Sequence, residues 1–168
     1  MAAEIERVFL LRSLPEPMPH GEVWRIEQGY LPPAQGQDPT QLEGRLRRIE
    51  HSDGRIEHIH TLKRGLGLVR EEIERPIDAA TFAREWPRTA GRRLSKVRTR
   101  VPVGALVWEI DRFQNLHVAM AECELPSPET PLEIPGWLAP HIEREVTEDP
   151  AYRNSELARR AGLLDQAR

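Results

Sequence analysis

Charged side chains recur at a spacing of two residues at six places along this 168-residue chain. Neighbouring side chains of a β-strand point to opposite faces of the sheet, so residues two apart share a face. The residue inside each pair is apolar, which predicts strands with one charged face and one apolar face. The six pairs are Glu4/Glu6, Arg45/Arg47, Glu72/Glu74, Lys96/Arg98, Glu109/Asp111 and Glu122/Glu124.

The two members of each pair carry the same sign, and acidic and basic pairs lie on different predicted strands. A surface that serves solubility alone mixes the signs. Carboxylates bind Mg²⁺ or Mn²⁺ through oxygen, and Arg and Lys bind phosphate oxygens. The pattern therefore predicts a polar lumen that holds a polyanion together with divalent cations. For any single pair, an ordinary half-buried sheet with a solvated outer face is the alternative.

Eight segments that alternate in character or carry β-branched residues must position these pairs. Turn residues bound most of them, and Ser52-Asp53-Gly54 is a strong hairpin signal because Asp-Gly accepts positive φ at low cost. Many short strands with few helices predict an antiparallel sheet or barrel. The predicted strands are Ile5–Leu11, Val23–Leu31, Leu42–Glu50, Arg55–Lys63, Leu68–Ile77, Leu94–Val101, Ala105–Phe113 and Leu116–Leu125.

Three segments are predicted to be helical. Asp78 can cap a helix that runs to about Trp86 and is ended by Pro87. The other two helices are expected near Trp137–Glu145 and over Glu156–Gln166, the latter capped by Asn154 or Ser155. This last helix can close one mouth of a barrel or pair with a second subunit, and both possibilities stay open.

Composition narrows the class of protein. Lys and Arg number 24 against 27 Asp and Glu, so the net charge of -3 disfavours a binder of nucleic-acid polymers. No stretch approaches the roughly 20 apolar residues of a spanning helix, which disfavours a membrane protein. Cys123 is the only cysteine, so there is no internal disulfide, and the N-terminus does not read as a signal peptide. A single domain over residues 1–168 in the cytoplasm is the expectation.

The ordered series of pairs resembles the CYTH superfamily, the triphosphate tunnel metalloenzymes, in its bacterial members. The opening Glu4-Ile5-Glu6-Arg7 is similar to the ExExK signature of that family. The resemblance runs from Glu4 to about Ala158. It continues through Gln28-Gly29-Tyr30-Leu31, Arg45-Leu46-Arg47, Thr61-Leu62-Lys63, Arg70-Glu71-Glu72-Ile73-Glu74, Lys96-Val97-Arg98, Glu109-Ile110-Asp111-Arg112-Phe113, Ala121-Glu122-Cys123-Glu124 and Glu145-Val146-Thr147-Glu148-Asp149-Pro150 with Tyr152, Asn154 and Leu157.

This resemblance implies a mainly β (α+β) fold, a closed antiparallel barrel of about eight strands that forms a charged tunnel with a few flanking helices. It implies an enzyme that hydrolyses a small-molecule triphosphate, inorganic tripolyphosphate above all, with two Mg²⁺ or Mn²⁺ ions. A class IV-type adenylate cyclase, a thiamine triphosphatase and a non-catalytic polyphosphate- or nucleotide-binding module are the alternatives. A monomer and a homodimer are both compatible with the sequence.

The resemblance also assigns roles to the charged pairs. Acidic neighbours are expected to keep Lys63 and Lys96 protonated. The implied metal ligands are Glu4, Glu6, Glu122 and Glu124; the implied phosphate-binding residues are Arg45, Arg47, Lys63, Lys96 and Arg98; the catalytic set is Glu4, Glu6, Lys63, Glu72, Glu74 and Asp111.

One position departs from the family pattern. Val8 occupies the place of the signature lysine, and Arg7 belongs to the opposite face of a regular strand. We expect this change to lower turnover or to alter which phosphate is attacked. His58 and His60 share a strand face but lie opposite Lys63 in parity, so packing is favoured over a metal role.

Overall fold

The computed structural model describes residues 2–36, 38, 42–65 and 67–168, without the side chain of residue 42. Within these residues the chain forms nine β-strands, two α-helices and three short 3₁₀ turns, at Trp86–Thr89, Ala139–His141 and Pro150–Tyr152. The strands and helices are β1 (Ala2–Leu11), β2 (Glu22–Tyr30), β3 (Leu42–His51), β4 (Ile56–Arg64), β5 (Val69–Pro76), α1 (Ala79–Glu85), β6 (Arg93–Val103), β7 (Leu106–Phe113), β8 (Ala119–Glu124), β9 (Ile142–Glu145) and α2 (Asn154–Gln166).

Eight of the described strands close into an antiparallel barrel. Their order is β5-β4-β3-β2-β6-β7-β8-β1, and β1 pairs with β5 to complete the circle. Strand β9 pairs with β1 on the same edge as β5 but further along the strand, at Phe9–Leu11. The predicted fold class and the eight predicted strands are therefore confirmed, with shifts of a few residues at their ends. Closure removes the free sheet edges that would otherwise invite aggregation.

Strand β1 has backbone partners along its whole outer edge. It pairs with β5 over Ala2–Ile5 and with β9 over Phe9–Leu11. Between these two ladders, the amide of Val8 donates to Thr147 Oγ1 (3.0 Å), and the amide of Val146 donates to the Val8 carbonyl (2.8 Å). The segment after β9 therefore seals the wall of the barrel beside Val8.

An apolar cluster covers the outer face of the barrel at β1, β7 and β8. Trp108 on β7 is 1% exposed and lies 5.7 Å from the Phe9 ring, between centroids. Cys123 is fully buried in the same cluster, as is typical of a packing residue, and burial raises the pKa of its thiol to about 11. The buried members of the cluster are Ile5, Phe9, Leu11, Trp108, Ile110, Ala121, Cys123, Leu125 and Leu138.

Helix α2 closes one end of the barrel. Its buried residues Leu157, Ala158 and Ala161 pack against side chains that point inward at that end. The helix approaches the backbone so closely that a Cβ on Gly162 would lie 1.9 Å from the Gly91 carbonyl oxygen, so this position requires glycine. The inward-pointing residues beneath the helix are Leu10, Tyr30, Leu94, Phe113 and Met120.

Two predictions about helices are wrong. The segment Trp137–Glu145 is not a helix: a 3₁₀ turn, Ala139–His141, is followed by strand β9, because the free edge of β1 offers hydrogen-bond partners to an extended chain. Neither Asn154 nor Ser155 caps α2, since both lie within the helix and Arg153 is its N-cap residue without a side-chain hydrogen bond.

The prediction for α1 is confirmed. The Asp78 carboxylate accepts a hydrogen bond from the Thr81 amide (2.6 Å), which satisfies one of the free N–H groups of the first turn. The α-helix ends at Glu85, and Pro87 lies in the 3₁₀ turn that follows. Neither described α-helix is both long and apolar enough to cross a lipid bilayer.

Candidate active site inside the barrel

A cavity of about 230 Å³ lies inside the barrel next to the end that α2 closes. Glu6 and Glu122 form an acidic part of its wall, and Arg45 and Lys63 form a basic part. These four residues belong to the set predicted from sequence. The remaining wall comes mostly from the segment 146–154, which connects β9 to α2. The cavity is therefore built by residues of β1 to β5 and β8 and by the segment that leads into the closing helix.

The acidic wall is set by the register of β1 against β8. Glu6 stands opposite Glu124, and Val8 stands opposite Glu122. Burial raises the pKa of Glu6 to about 8, with further increases from the nearby Glu122 and Glu4 carboxylates. Among the described residues, none donates a hydrogen bond to the Glu6 carboxylate or forms an ion pair with it. Without a cation, Glu6 therefore favours its protonated form at neutral pH, and a cation at this wall would favour the carboxylate.

Lys63 is bound by two of the predicted carboxylates. Its Nζ atom lies 2.7 Å from Glu4 Oε2 and 3.0 Å from Glu72 Oε2. Burial by itself would raise the pKa of Glu72, but the attraction of Lys63 and Arg45 together with hydrogen bonds to Lys63 and Glu4 lowers that pKa overall. Sequence parity correctly placed these three residues on one interior face, although they come from β4, β1 and β5.

A second ionic cluster lies deeper in the barrel. Asp111 accepts from Lys96 Nζ (2.6 Å) and from Arg98 Nε (2.7 Å), and both Lys96 and Asp111 are fully buried. Burial, followed by the nearby Arg98, lowers the pKa of Lys96 to about 8 although Asp111 opposes the change. The acidic neighbours thus only partly offset burial, and Lys96 loses its proton far more readily than a solvated lysine.

Arg98 on β6 forms ion pairs with carboxylates of β7 and β8. Beyond Asp111, its guanidinium lies 3.0 Å from Glu109 Oε2 and 3.1 Å from Glu122 Oε2. The combined attraction overcomes burial and raises the pKa of Arg98 well above its ordinary value. Glu122 is therefore shared between the cavity and a buried cation, which fixes the position of its carboxylate.

Arg47 is a buried cation without a carboxylate partner among the described residues. It donates to Gln28 Oε1 at 3.0 and 3.2 Å, and only 8% of the residue is exposed. Burial, together with repulsion from Arg45 and Arg98, lowers the pKa of Arg47 to about 10. A buried and unpaired positive charge is costly, so this position favours an anionic ligand.

Arg45 belongs to the basic wall of the cavity and lies two residues before Arg47 on β3. Its Nη2 atom donates to Thr61 Oγ1 (3.2 Å) and lies 3.9 Å from Glu74 Oε1, while its Nε atom is buried without a partner. Glu74 itself is 45% exposed at its side chain, so it stands at the edge of the site. Arg45 therefore keeps a donor free for a ligand in the cavity.

An ionic cluster in the cavity wall lies outside the predicted set of site residues. Glu43 lies between Arg70 and Arg153, with N–O distances of 3.7 and 3.6 Å, and all three line the cavity. Glu43 follows the same spacing of two as Arg45, so strand parity contained a signal for it. Arg153 precedes a helix and belongs to no charged pair, so no local pattern indicated it.

The predicted metal ligands are only partly assembled. Glu6 and Glu122 line the cavity, whereas Glu4 is held by Lys63 and Glu124 is exposed. As positioned, no three His, Cys, Asp or Glu side chains in the described chain converge on one ion position. The individual metal roles therefore stay predictions.

Strand alternation also predicted correctly that Arg7 and His58 lie outside the site. Val8 lines the cavity, while Arg7 lies on the outer face, where it forms an ion pair with Glu145 (2.6 Å). His58 packs against the Phe82 ring of α1, with 4.7 Å between ring centroids. Arg7 therefore does not replace the missing interior lysine, and His58 has the packing position that the sequence favoured.

By its fold and its site, this protein is a closed antiparallel barrel with carboxylates and cations around an interior cavity. No family model matches the chain. Over 163 residues, 92% of this chain and 96% of the relative, it is 37% identical to the inorganic triphosphatase of Nitrosomonas europaea. The chain belongs to the inorganic triphosphatase family.

Solved structures agree with this assignment. A crystal structure of an inorganic triphosphatase is 33% identical, with a TM-score of 0.58 over 92% of this chain and 97% of the other. A candidate adenylyl cyclase from Hippeastrum, described as having a dominant triphosphatase activity, is 18% identical with a TM-score of 0.54. It covers 75% of this chain and 80% of its own, and it supports the fold alone.

Proposed function

We propose that this chain is a bacterial-type member of the CYTH superfamily that hydrolyses inorganic tripolyphosphate with a divalent metal ion. The observation that carries the proposal is the single cavity whose wall combines Glu6 and Glu122 with Arg45 and Lys63. Family membership supports the same activity. The barrel strands extend from Ala2 to Glu124 and α2 packs against one end of the barrel, which supports one domain over residues 1–168.

The cations of the barrel suit a substrate with several adjacent negative charges. Phosphoryl transfer depends mainly on positioning and on electrostatic stabilisation, which Arg and Lys provide. Arg47 has no carboxylate partner among the described residues, and Arg45 has a free buried Nε–H group. A phosphate chain would supply the acceptors that these guanidinium groups lack.

The acidic wall fits a divalent cation. The pKa of Glu6 is raised to about 8 by burial and by Glu122 and Glu4, and a cation at this wall would favour the ionised carboxylates. Glu6 and Glu122 would hold Mg²⁺ or Mn²⁺, with Glu4 and Glu124 as further ligands on the same strands. When bound, such an ion neutralises phosphate charge and lowers the pKa of a coordinated water.

Substrate choice tests the proposal. The purified protein is incubated with Mg²⁺ or Mn²⁺ and with tripolyphosphate, thiamine triphosphate or ATP in turn, and orthophosphate, pyrophosphate and cyclic AMP are measured. We expect orthophosphate release to be fastest from tripolyphosphate. Cyclic AMP with pyrophosphate would instead indicate a cyclase, and binding without turnover would indicate a non-catalytic module.

A matched pair of variants connects this activity to the cavity. Arg47→Gln removes the unpaired interior cation and should raise KM for tripolyphosphate by at least tenfold. Arg25→Gln removes an exposed arginine on the outer face of β2 and should leave KM unchanged. Equal KM values for the two variants would contradict the assignment of the barrel interior as the phosphate site.

A further inference from the structure

A second, larger cavity lies on the outside of the barrel beside the start of α2. Its volume is about 710 Å³, and we call it the basic basin. Four arginines line it against two glutamates, Glu43 and Glu156, although the whole chain has a net charge of -3. The arginines are Arg88, Arg92, Arg153 and Arg159.

The basic basin and the interior cavity share part of their walls. Tyr30, Glu43, Pro150 and Arg153 line both cavities. The Nε atom of Arg153 is buried and has no hydrogen-bond partner, and its Nη2 atom lies 3.6 Å from Glu43 Oε2. Arg153 therefore stands where an anion would pass between the two spaces, with a donor still available.

The outer arginines of the basic basin are free to meet a ligand. Arg92 is exposed, and no described residue forms an ion pair with its guanidinium. Arg159 is 54% exposed at its side chain, and within the described part of the chain it pairs only with Glu156 on its own helix, a contact that a multiply charged anion can replace at small cost. Neither residue lines the interior cavity.

The opposite end of the barrel carries several glutamates, although Arg100 lies 3.7 Å from Glu22 there. Glu22 begins β2 and Glu124 ends β8, at the ends of these strands away from Tyr30 and Met120, which lie beneath α2. Both glutamates are exposed, and Glu74 on β5 is 45% exposed. The end beside α2 therefore offers an anion the more favourable approach.

We propose that the basic basin is an anion-docking site, through which condensed phosphate reaches the interior cavity by way of Arg153. The inference rests on the proposed function, and it adds a binding site outside the barrel. Clustered positive charge raises the local concentration of an anionic ligand and its association rate, and salt suppresses the effect. The bound chemistry is a phosphoryl anion, either the incoming tripolyphosphate or the orthophosphate product.

The test compares two double variants that remove equal charge. Arg92→Gln/Arg159→Gln changes the basic basin, and Arg25→Gln/Arg112→Gln removes two exposed arginines from the outer faces of β2 and β7. At low ionic strength the basin variant should raise KM for tripolyphosphate about 3- to 10-fold with kcat within twofold, because the long-range attraction is lost. The control should match wild type, and the difference should vanish at high salt.

Further measurements separate the sources of the anion and exclude a structural cause. A rise in KM alone assigns the basin to incoming substrate, and weaker inhibition by orthophosphate alone assigns it to product. Arg92→Lys/Arg159→Lys keeps the charge and should restore KM. Basin and control variants with equal KM values and equal orthophosphate inhibition would overturn the proposal.

A failure of the basic-basin proposal can be distinguished from a failure of the proposed function. If wild type releases no orthophosphate from tripolyphosphate, the proposed function fails, and calorimetric titration of tripolyphosphate without metal then tests the basin alone. Weaker binding by Arg92→Gln/Arg159→Gln than by Arg25→Gln/Arg112→Gln would support the basin. Equal binding by the two variants would reject it.

Discussion

At the scale of single residues, most interior charges are already neutralised within the protein. Lys63 is held by Glu4 and Glu72, and Arg98 is held by Asp111. Glu6 and Arg47 differ, since neither has an opposite charge bound to it among the described residues. A cation beside Glu6 would favour its ionised form, and an anion beside Arg47 would pair with its buried positive charge.

Lys96 leads to a prediction about pH. Its pKa is lowered to about 8, so the cation that faces the interior is lost as pH rises through that value. KM for tripolyphosphate should therefore increase above about pH 8, while the Lys96→Gln variant should show a raised KM that changes little over the same range. Parallel pH profiles of KM for wild type and variant would contradict this role for Lys96.

Val8 leads to a prediction about turnover. A lysine at this position would reach the same cavity as Glu6 and Glu122, because Val8 lines that cavity. Val8→Lys should therefore raise the rate of orthophosphate release from tripolyphosphate several-fold or change the ratio of orthophosphate to pyrophosphate.

The control for this variant is its neighbour on the other face. Arg7 lies outside the barrel with Glu145, so Arg7→Lys should leave both the rate and the products unchanged. An unchanged rate and product ratio in Val8→Lys would contradict the prediction that valine in place of the family's lysine affects turnover or products.

Strand parity could predict the direction of most site residues. The alternation of side chains is a local property, so it placed Arg45, Lys63 and Asp111 inside and Arg7 outside from the sequence alone. It could not identify Arg153, whose place in the cavity depends on where α2 docks. It also could not show that Glu124 would be exposed, since exposure depends on the end of the barrel at which a residue lies.

At the scale of elements, the structure of the segment after β8 depends on contacts with β1, which local sequence patterns do not contain. Ile142–Glu145 is a strand because the edge of β1 is available to it, and that edge is distant in sequence. The same segment then continues along β1 through Val146 and Thr147 and leads into α2. Closure of the barrel end and completion of the cavity wall are thus consequences of one continuous stretch of chain.

Docking of α2 leads to a prediction about stability. Leu157 is 0% exposed beneath the helix, whereas Leu164 on the same helix is 54% exposed. Leu157→Ala should lower the free energy of unfolding by about 2–5 kcal/mol because it leaves a cavity in the packed end of the barrel. Leu164→Ala should change it by less than about 0.5 kcal/mol. Urea denaturation measures both, and equal effects would contradict the packing of α2 as the closed end.

At the scale of the whole molecule, a small net charge conceals separated charges. The total of -3 is a sum over the whole chain, whereas carboxylates and cations are concentrated together inside the barrel and arginines in the basic basin. Composition could exclude a broadly basic surface, and strand count could predict a barrel. The closed end and the basic basin depend on contacts between distant parts of the chain, which composition and periodicity do not contain.

The most direct test of the central claim is metal-dependent orthophosphate release from tripolyphosphate by the wild-type protein and two glutamate variants. Release should require Mg²⁺ or Mn²⁺ and stop with excess EDTA. Glu6→Gln removes an interior carboxylate and should lower the rate at least about 100-fold, on the scale of a lost transition-state interaction. Glu143→Gln changes an exposed residue of β9 and should have no effect. Metal-independent release, or equal rates in the two variants, would contradict the assignment of the barrel interior as a metal-dependent triphosphatase site.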